Sequence, residues 1–270
     1  INNEKMADAI RWYLGSTDAA SIKHLILIGS VVMRNASLSE SPSANILPNL
    51  ETVDLSLFTG ILGVYSFYDC TKLTTVTRDT SFTTVPGACF MNCSSLNTIF
   101  VSDKYPKIWG EADLTDLSGG VATDTQSFEG CKSLTTLRIP SARIGIAGSF
   151  YNCTRLSTIY KSGDNKSPGV FDLTGISTFW PGFGHNFVGT SVSTVKLPKN
   201  IEISEKCFFN CSNLKRIELD SSQTTAVNIG SQAFYNVSPI CKAFMHSTLV
   251  NNSSFQLPRT PTINIPKMTY

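Results

Sequence analysis

The amino-acid sequence predicts an α/β repeat solenoid, with a parallel sheet on one face and short helical turns or irregular coil on the other. Three observations carry that reading: a signature of about ten residues that recurs seven times, a longer 59-residue period laid over it, and a change of apolar spacing inside each copy.

The signature is clearest as SFYDCTKLTTV (66–76), CFMNCSSLNTI (89–99), SFEGCKSLTTL (127–137), SFYNCTRLSTI (149–159) and CFFNCSNLKRIEL (207–219). Weaker copies read NFVGTSVSTVKL (186–197) and AFYNVSPICKAF (233–244). Their leading phenylalanines, Phe67, Phe90, Phe128, Phe150, Phe187, Phe208 and Phe234, are separated by 23, 38, 22, 37, 21 and 26 residues. Short and long steps alternate over most of the array, so pairs of copies form a larger unit. That unit has its own marker, because Asp54, Asp113 and Asp172 head DLS or DLT triplets spaced 59 residues apart.

Within a copy, Phe, Cys and Leu fall at i, i+3 and i+6, which fits a short helical turn with one inward face. The following residues alternate as in a half-buried strand. A coil of turn plus strand cannot bury its own apolar face, so neighbouring coils must stack to close one continuous core. Pro140 and Pro198 lack a ladder donor and suit strand exits. The intervals from Ile99 to Leu114 and from Ile159 to Leu173 are too short for a full coil, so the DL segments read either as extra rungs or as hairpin excursions.

Three regions follow from the periodicity: a capping region over residues 1–50, the repeat solenoid over 51–244 and a cap or linker tail over 245–270. In the first, MADAIRWYL (6–14) places apolar residues on one helical face and HLILI (24–28) reads as a strand. In the last, Pro258, Pro261 and Pro266 predict extended irregular chain. The chain opens at Ile1 rather than Met, from which a trimmed or processed product is expected.

The copies resemble the leucine-rich repeat of the BspA-like family, found in bacterial surface proteins and in some parasitic protists. IGSQAF (229–234) matches the family's turn, whereas Thr190 stands where the pattern has Cys. The resemblance implies a leucine-rich repeat solenoid and a secreted or cell-surface protein concerned with attachment or recognition of a host or neighbouring-cell protein or glycan. It implies neither a catalytic residue nor a cofactor.

Bulk properties agree with a recognition role and narrow the partners. Lys and Arg total 22 against 20 Asp and Glu without a basic run, so the concentrated positive charge that nucleic-acid binding draws on is missing. The longest apolar run, near Leu25 to Ile28, is a strand's length, so a membrane-spanning helix is not expected. His24, His185 and His246 lie in separate contexts, and neither a nucleophile elbow nor a phosphate-binding glycine loop is present.

Cys70, Cys93, Cys131, Cys153 and Cys211 share one inward repeat position, so free buried thiols are expected. Bridges from Cys89 to Cys93 and from Cys207 to Cys211 form the alternative. Asp54, Asp113 and Asp172 should lie several coils apart, too far for the paired carboxylates of glycoside hydrolysis, about 5–9 Å apart. A turn-stabilising or strand-edge role is expected instead. Asn-x-Ser/Thr sequons at Asn35, Asn92, Asn152, Asn210, Asn236, Asn251 and Asn252 arise partly from the repeat itself.

Recognition is expected on the sheet's outer face. If Ile99, Leu137, Ile159, Val195 and Ile217 point inward, then Thr98, Phe100, Arg138, Tyr160, Lys196, Arg216 and Glu218 point outward. Phe100 and Tyr160 hold equivalent positions, and either bind a ligand or are covered by a neighbouring loop. The loop TFWPGFGH (178–185) adds Trp180 and Phe183. The candidate surface is therefore Phe100, Arg138, Tyr160, Trp180, Phe183 and Arg216. A structural spacer for a further domain, or an accessory glycan-binding module of an enzyme system, are the competing functions.

Overall fold

The computed structural model describes residues 19–30, 47–102, 108–115, 117, 126–139, 145–146, 150–174, 178–179, 184–198, 203–219 and 229–244. The predicted 6–14 helix, the 245–270 tail, Trp180 and Phe183 lie outside the described residues.

Each signature copy runs directly into a short strand. The strands are β1 (His24–Gly29), β2 (Thr52–Phe58), β3 (Thr75–Arg78), β4 (Thr98–Val101), β5 (Glu111–Asp113), β6 (Thr136–Ile139), β7 (Gly145–Ile146), β8 (Thr158–Lys161), β9 (Val170–Asp172), β10 (Thr178–Phe179), β11 (Thr194–Leu197), β12 (Arg216–Leu219) and β13 (Lys242–Phe244). Among the described residues they form an eleven-stranded parallel sheet in the order β1-β2-β3-β4-β5-β6-β8-β9-β11-β12-β13, with β7 and β10 as a separate parallel pair. The register carries the repeat across the sheet: Val53 pairs with Val76, Val76 with Ile99, Leu137 with Ile159 and Val195 with Ile217. All of these are buried, as alternation requires.

The DL segments are extra rungs. Ala112 of β5 pairs with both Ile99 and Leu137, and β9 sits between β8 and β11 through Ile159–Phe171 and Val195–Phe171. The sheet thus gains two strands that the phenylalanine column lacks. That column nevertheless stays continuous, with ring centroids 5.5 Å apart for Phe67–Phe90 and Phe90–Phe128, 5.4 Å for Phe128–Phe150, 6.0 Å for Phe150–Phe187, 5.4 Å for Phe187–Phe208 and 5.3 Å for Phe208–Phe234. At the widest step Phe171 of β9 packs on Phe187 at 5.2 Å and fills the space. Such ring pairs add about 0.5–1.5 kcal/mol each beyond the area they bury.

The expected short helical turns do not form; the face opposite the sheet is a succession of tight turns. Cys70 N donates to Phe67 O and Leu73 N to Cys70 O, three residues back, and the copies that begin at Phe90, Phe128, Phe150, Phe187 and Phe208 repeat the start of this pattern. The reason is the residue two after each Phe. Asp69, Asn92, Gly130, Asn152, Gly189, Asn210 and Asn236 all have φ between 53° and 73°, the left-handed region that ends a right-handed helix. That position is filled only by Asp, Asn or Gly, the residues that adopt it at least cost. The sequon asparagines of the repeat therefore serve the backbone. The flipped turns turn N–H groups toward the next coil: Phe67 N donates to Cys89 O, Asp69 N to Met91 O, Phe208 N to Ala233 O and Asn210 N to Tyr235 O.

The repeated cysteine has the same logic. Its thiol donates to the Phe carbonyl of the preceding coil, at 3.0 Å for Cys93 to Phe67, 3.1 Å for Cys131 to Phe90, 3.0 Å for Cys153 to Phe128 and 3.1 Å for Cys211 to Phe187. A small side chain with one weak donor adds an inter-coil hydrogen bond to a carbonyl that already accepts a backbone N–H of its own coil. Thr190 substitutes differently, donating to Phe187 O in its own coil at 3.0 Å. All eight cysteines are free thiols, and all but Cys241 are buried. Burial pushes the thiols up, to about 11 for Cys211 and about 12 for Cys241.

Candidate recognition surface

Two of the connections between strands end against outward-facing threonines of the sheet, and residues 163–166 of the second lie over its outer face beside Tyr160. After β4 the chain returns to Gly110, whose N–H donates to Thr98 Oγ1 at 3.2 Å, before β5 begins. After β8 the return ends at Gly169, whose N–H donates to Thr158 Oγ1 at 3.1 Å, before β9. Both glycines have left-handed backbones, with φ of 78° and 79°, and Cβ atoms there would press on Thr135 Oγ1 at 3.2 Å and Ser193 Oγ at 2.7 Å. Thr135 and Ser193 in turn donate to the carbonyls of Gly110 and Gly169, at 2.7 and 2.8 Å. The two returns are thus the same device used twice.

The returns change the fate of the predicted outward residues. Thr98 lies on the outer face yet is fully buried, because its hydroxyl anchors the first return. Tyr160 is only 9% exposed, and its hydroxyl donates to Glu111 Oε1 at 2.8 Å. It is therefore a covered, satisfied aromatic and not an open platform. Burial, followed by the Glu111 contact, pushes its phenol well above the ordinary range. Phe100, at the equivalent position in β4, has no polar end to satisfy and remains partly exposed in a narrow cleft with Ile108, Glu111 and Arg138.

Beside this cleft lies a recess of about 490 Å³ lined by Ile108, Glu111, Arg138, Tyr160 and residues 163–166 of the second return. Its volume falls in the range of small-ligand sites, about 300–1,000 Å³. Three charge pairs surround it: Arg138 with Asp113 at 3.4 Å, Lys161 with Asp164 at 3.2 Å and Lys166 with Glu111 at 3.5 Å. Glu111 is 3% exposed, and its Oε2 has no hydrogen-bond partner among the described residues; Lys166 approaches it without bonding geometry. Trp109, next to the lining Ile108, is 67% exposed.

Of the predicted residues, the structure brings Phe100, Arg138 and Tyr160 to this one region. Arg216 lies away from it on β12, where it is exposed and paired with Glu218. Sequence reasoning missed Glu111, Ile108 and Lys166. One signal was available for Glu111: it stands two residues before Asp113, and strand alternation puts both on the outer face.

The three DL aspartates act as turn formers. Asp54 Oδ1 accepts from Ser56 N at 2.8 Å, Asp113 Oδ1 from Thr115 N at 3.0 Å and Asp172 Oδ1 from Thr174 N at 3.1 Å. Two also hold a cation on the neighbouring strand, since Asp113 pairs with Arg138 and Asp172 approaches Lys196 at 3.9 Å.

A family model of the BspA-type leucine-rich repeat region matches residues 44–112, 121–176 and 184–270, in six copies. The chain belongs to the BspA-type leucine-rich repeat family. Solved structures similar to this BspA-type chain include a leucine-rich repeat protein from Bacteroides ovatus, 14% identical, covering 87% of this chain and 73% of its own with a TM-score of 0.30. Another, from Eubacterium ventriosum, is 17% identical, with 82% and 73% covered and a TM-score of 0.30. A leucine-rich cell surface protein from Faecalibacterium prausnitzii is 14% identical, with 87% and 85% covered and a TM-score of 0.22. No curated protein matches. Among the described residues no helix is long and apolar enough to cross a membrane.

Proposed function

We propose that this BspA-type leucine-rich repeat chain is a non-catalytic recognition or adhesion module, secreted or displayed at the cell surface, that holds a protein or glycan on the outer face of its sheet. The repeat family is associated with interaction, and a stacked solenoid supplies the rigid, extended surface that such a role needs. The observation that carries the reading is the recess where the two return segments meet Glu111, Arg138 and Tyr160. A pure spacer has no need of a recess of ligand size on its sheet. The division into a cap at 1–50, a solenoid at 51–244 and a tail at 245–270, and the contribution of Trp180 and Phe183 to the surface, belong to the same proposal.

The test is retention of matrix proteins, mucins and glycans by the immobilised chain, compared with an Ile108→Asp/Arg138→Ala variant shown to be folded by thermal melting. Binding by the native chain that the variant loses supports the reading. Equal retention by both, or none by either, overturns it.

A further inference from the structure

We propose that the recess beneath the second return binds a neutral, hydroxyl-rich saccharide, with Glu111 as the hydrogen-bond acceptor at its floor. The assignment rests on the recognition reading above and gives its ligand a chemical class.

Glu111 is the starting point. Its side chain is almost fully buried, Tyr160 holds Oε1 at 2.8 Å, and Oε2 has an unfilled acceptor capacity. An unsatisfied buried acceptor is costly, the more so when charged, so a ligand that donates to it recovers that cost. Among the described residues only Lys166 stands over this oxygen, at 3.5 Å, and its side chain is 40% exposed, long and able to swing outward.

Charge decides what the donor is. An anionic ligand would meet the Glu111 carboxylate and an ammonium ligand would meet Arg138 and Lys166. The three acidic and three basic groups around the recess already neutralise one another pairwise. A hydroxyl is the remaining complement: it donates to Glu111 Oε2 while accepting from the Lys166 ammonium that it displaces. Asn165 lines the same recess and carries both donor and acceptor groups, as a diol or acetamido group requires. Ile108, 41% exposed in the wall, offers an apolar patch for the C–H face of a pyranose ring. The placement is built, not incidental, because Tyr160 reaches Glu111 across β6 from a strand 49 residues further along the chain.

The experiment titrates the full chain with maltotriose, mannotriose, cellotriose and N-acetyllactosamine by saturation-transfer NMR and calorimetry. Sialyllactose and spermine serve as the anionic and cationic comparisons. The native chain is expected to bind at least one neutral sugar more tightly than either charged probe. Glu111→Gln, which keeps an oxygen for Tyr160 but can place an N–H₂ donor at the open position, is expected to weaken that binding about tenfold or more, since hydrogen bonds to charged groups contribute about 1.5–3 kcal/mol. Asn165→Ala, at a surface position, is expected to weaken it without changing the melting temperature. Sugar binding unaffected by both variants overturns the site. Failure of every neutral sugar, with a protein ligand still retained, overturns the saccharide and leaves the recognition reading standing; no retention of any probe overturns both.

Discussion

Arg78 sends Nε and Nη2 to the carbonyl oxygen of Asp113, at 3.2 and 2.8 Å, passing from β3 to β5 across the intervening strand β4. Its Nη1 reaches the carbonyls of Asp79 and Phe82 at 3.2 and 3.4 Å, so the guanidinium is spent on backbone acceptors while only 1% exposed. The Asp113 carboxylate lies 4.0 Å away and supplies the countercharge. This one side chain ties an inserted rung to the regular repeat before it.

Replacing Arg78 with Met keeps much of the volume but strands three carbonyls and leaves the Asp113 carboxylate only Arg138 as countercharge among the described residues. The expected loss is about 3–5 kcal/mol, the cost of breaking a buried charged network by removing one partner. Urea unfolding followed by circular dichroism measures it; a loss under 1 kcal/mol would show that the inserted rung does not depend on Arg78.

The phenylalanine column should be sensitive at its centre. Phe150 is fully buried and stacks on Phe128 and Phe187 at 5.4 and 6.0 Å. Phe150→Ala is expected to cost about 3–5 kcal/mol through lost burial and the cavity left behind. Denaturant midpoints check it, and an unchanged midpoint contradicts the column as the core.

The left-handed asparagines make a sharper backbone test. Asn152 has φ of 57°. Asn152→Ala is expected to destabilise by about 1–2 kcal/mol, because a Cβ-bearing residue without a local polar group resists that conformation, while Asn152→Gly should be close to neutral. Paired melting curves separate the two variants; equal losses would point to the side-chain amide instead of the backbone.

Alkaline pH should unfold the protein early. Burial raises the folded-state pKa of the thiols above the ordinary 9.0, to about 11 for Cys211 and well above 9.0 for Cys93 and Cys131. A raised value means the folded chain keeps protons that the unfolded chain has lost. Stability is therefore complete below about pH 8.5–9 and declines as pH rises toward the folded values. Each such thiol removes up to about 1.4 kcal/mol per pH unit in that window, and the Tyr160 phenol acts in the same direction above about pH 10. Urea midpoints at pH 7.5 and pH 10 should fall markedly; a flat profile would mean the thiols titrate as if exposed. At neutral pH the seven buried thiols should react with a thiol reagent only after unfolding.

The repeat, the order of its coils, the inward Phe, Cys and Leu positions and the free thiols are all legible in the sequence, because stacked equivalent positions must bury equivalent side chains. The turns read as helical or irregular in the sequence because a three-residue apolar spacing satisfies both a helix and a run of tight turns. The distinguishing sign, Asp, Asn or Gly two residues after every Phe, is a backbone signal and carries no hydrophobicity. Tertiary structure alone decided that the DL segments enter the sheet and that the glycine before two of them is anchored on an outward threonine of the preceding strand. Those anchors depend on register: only when β5 and β9 pair with both neighbours do Gly110 and Gly169 meet Thr98 and Thr158. The joining of Tyr160 to Glu111, and the burial of one predicted platform with it, follow from that register and from no local pattern along the chain.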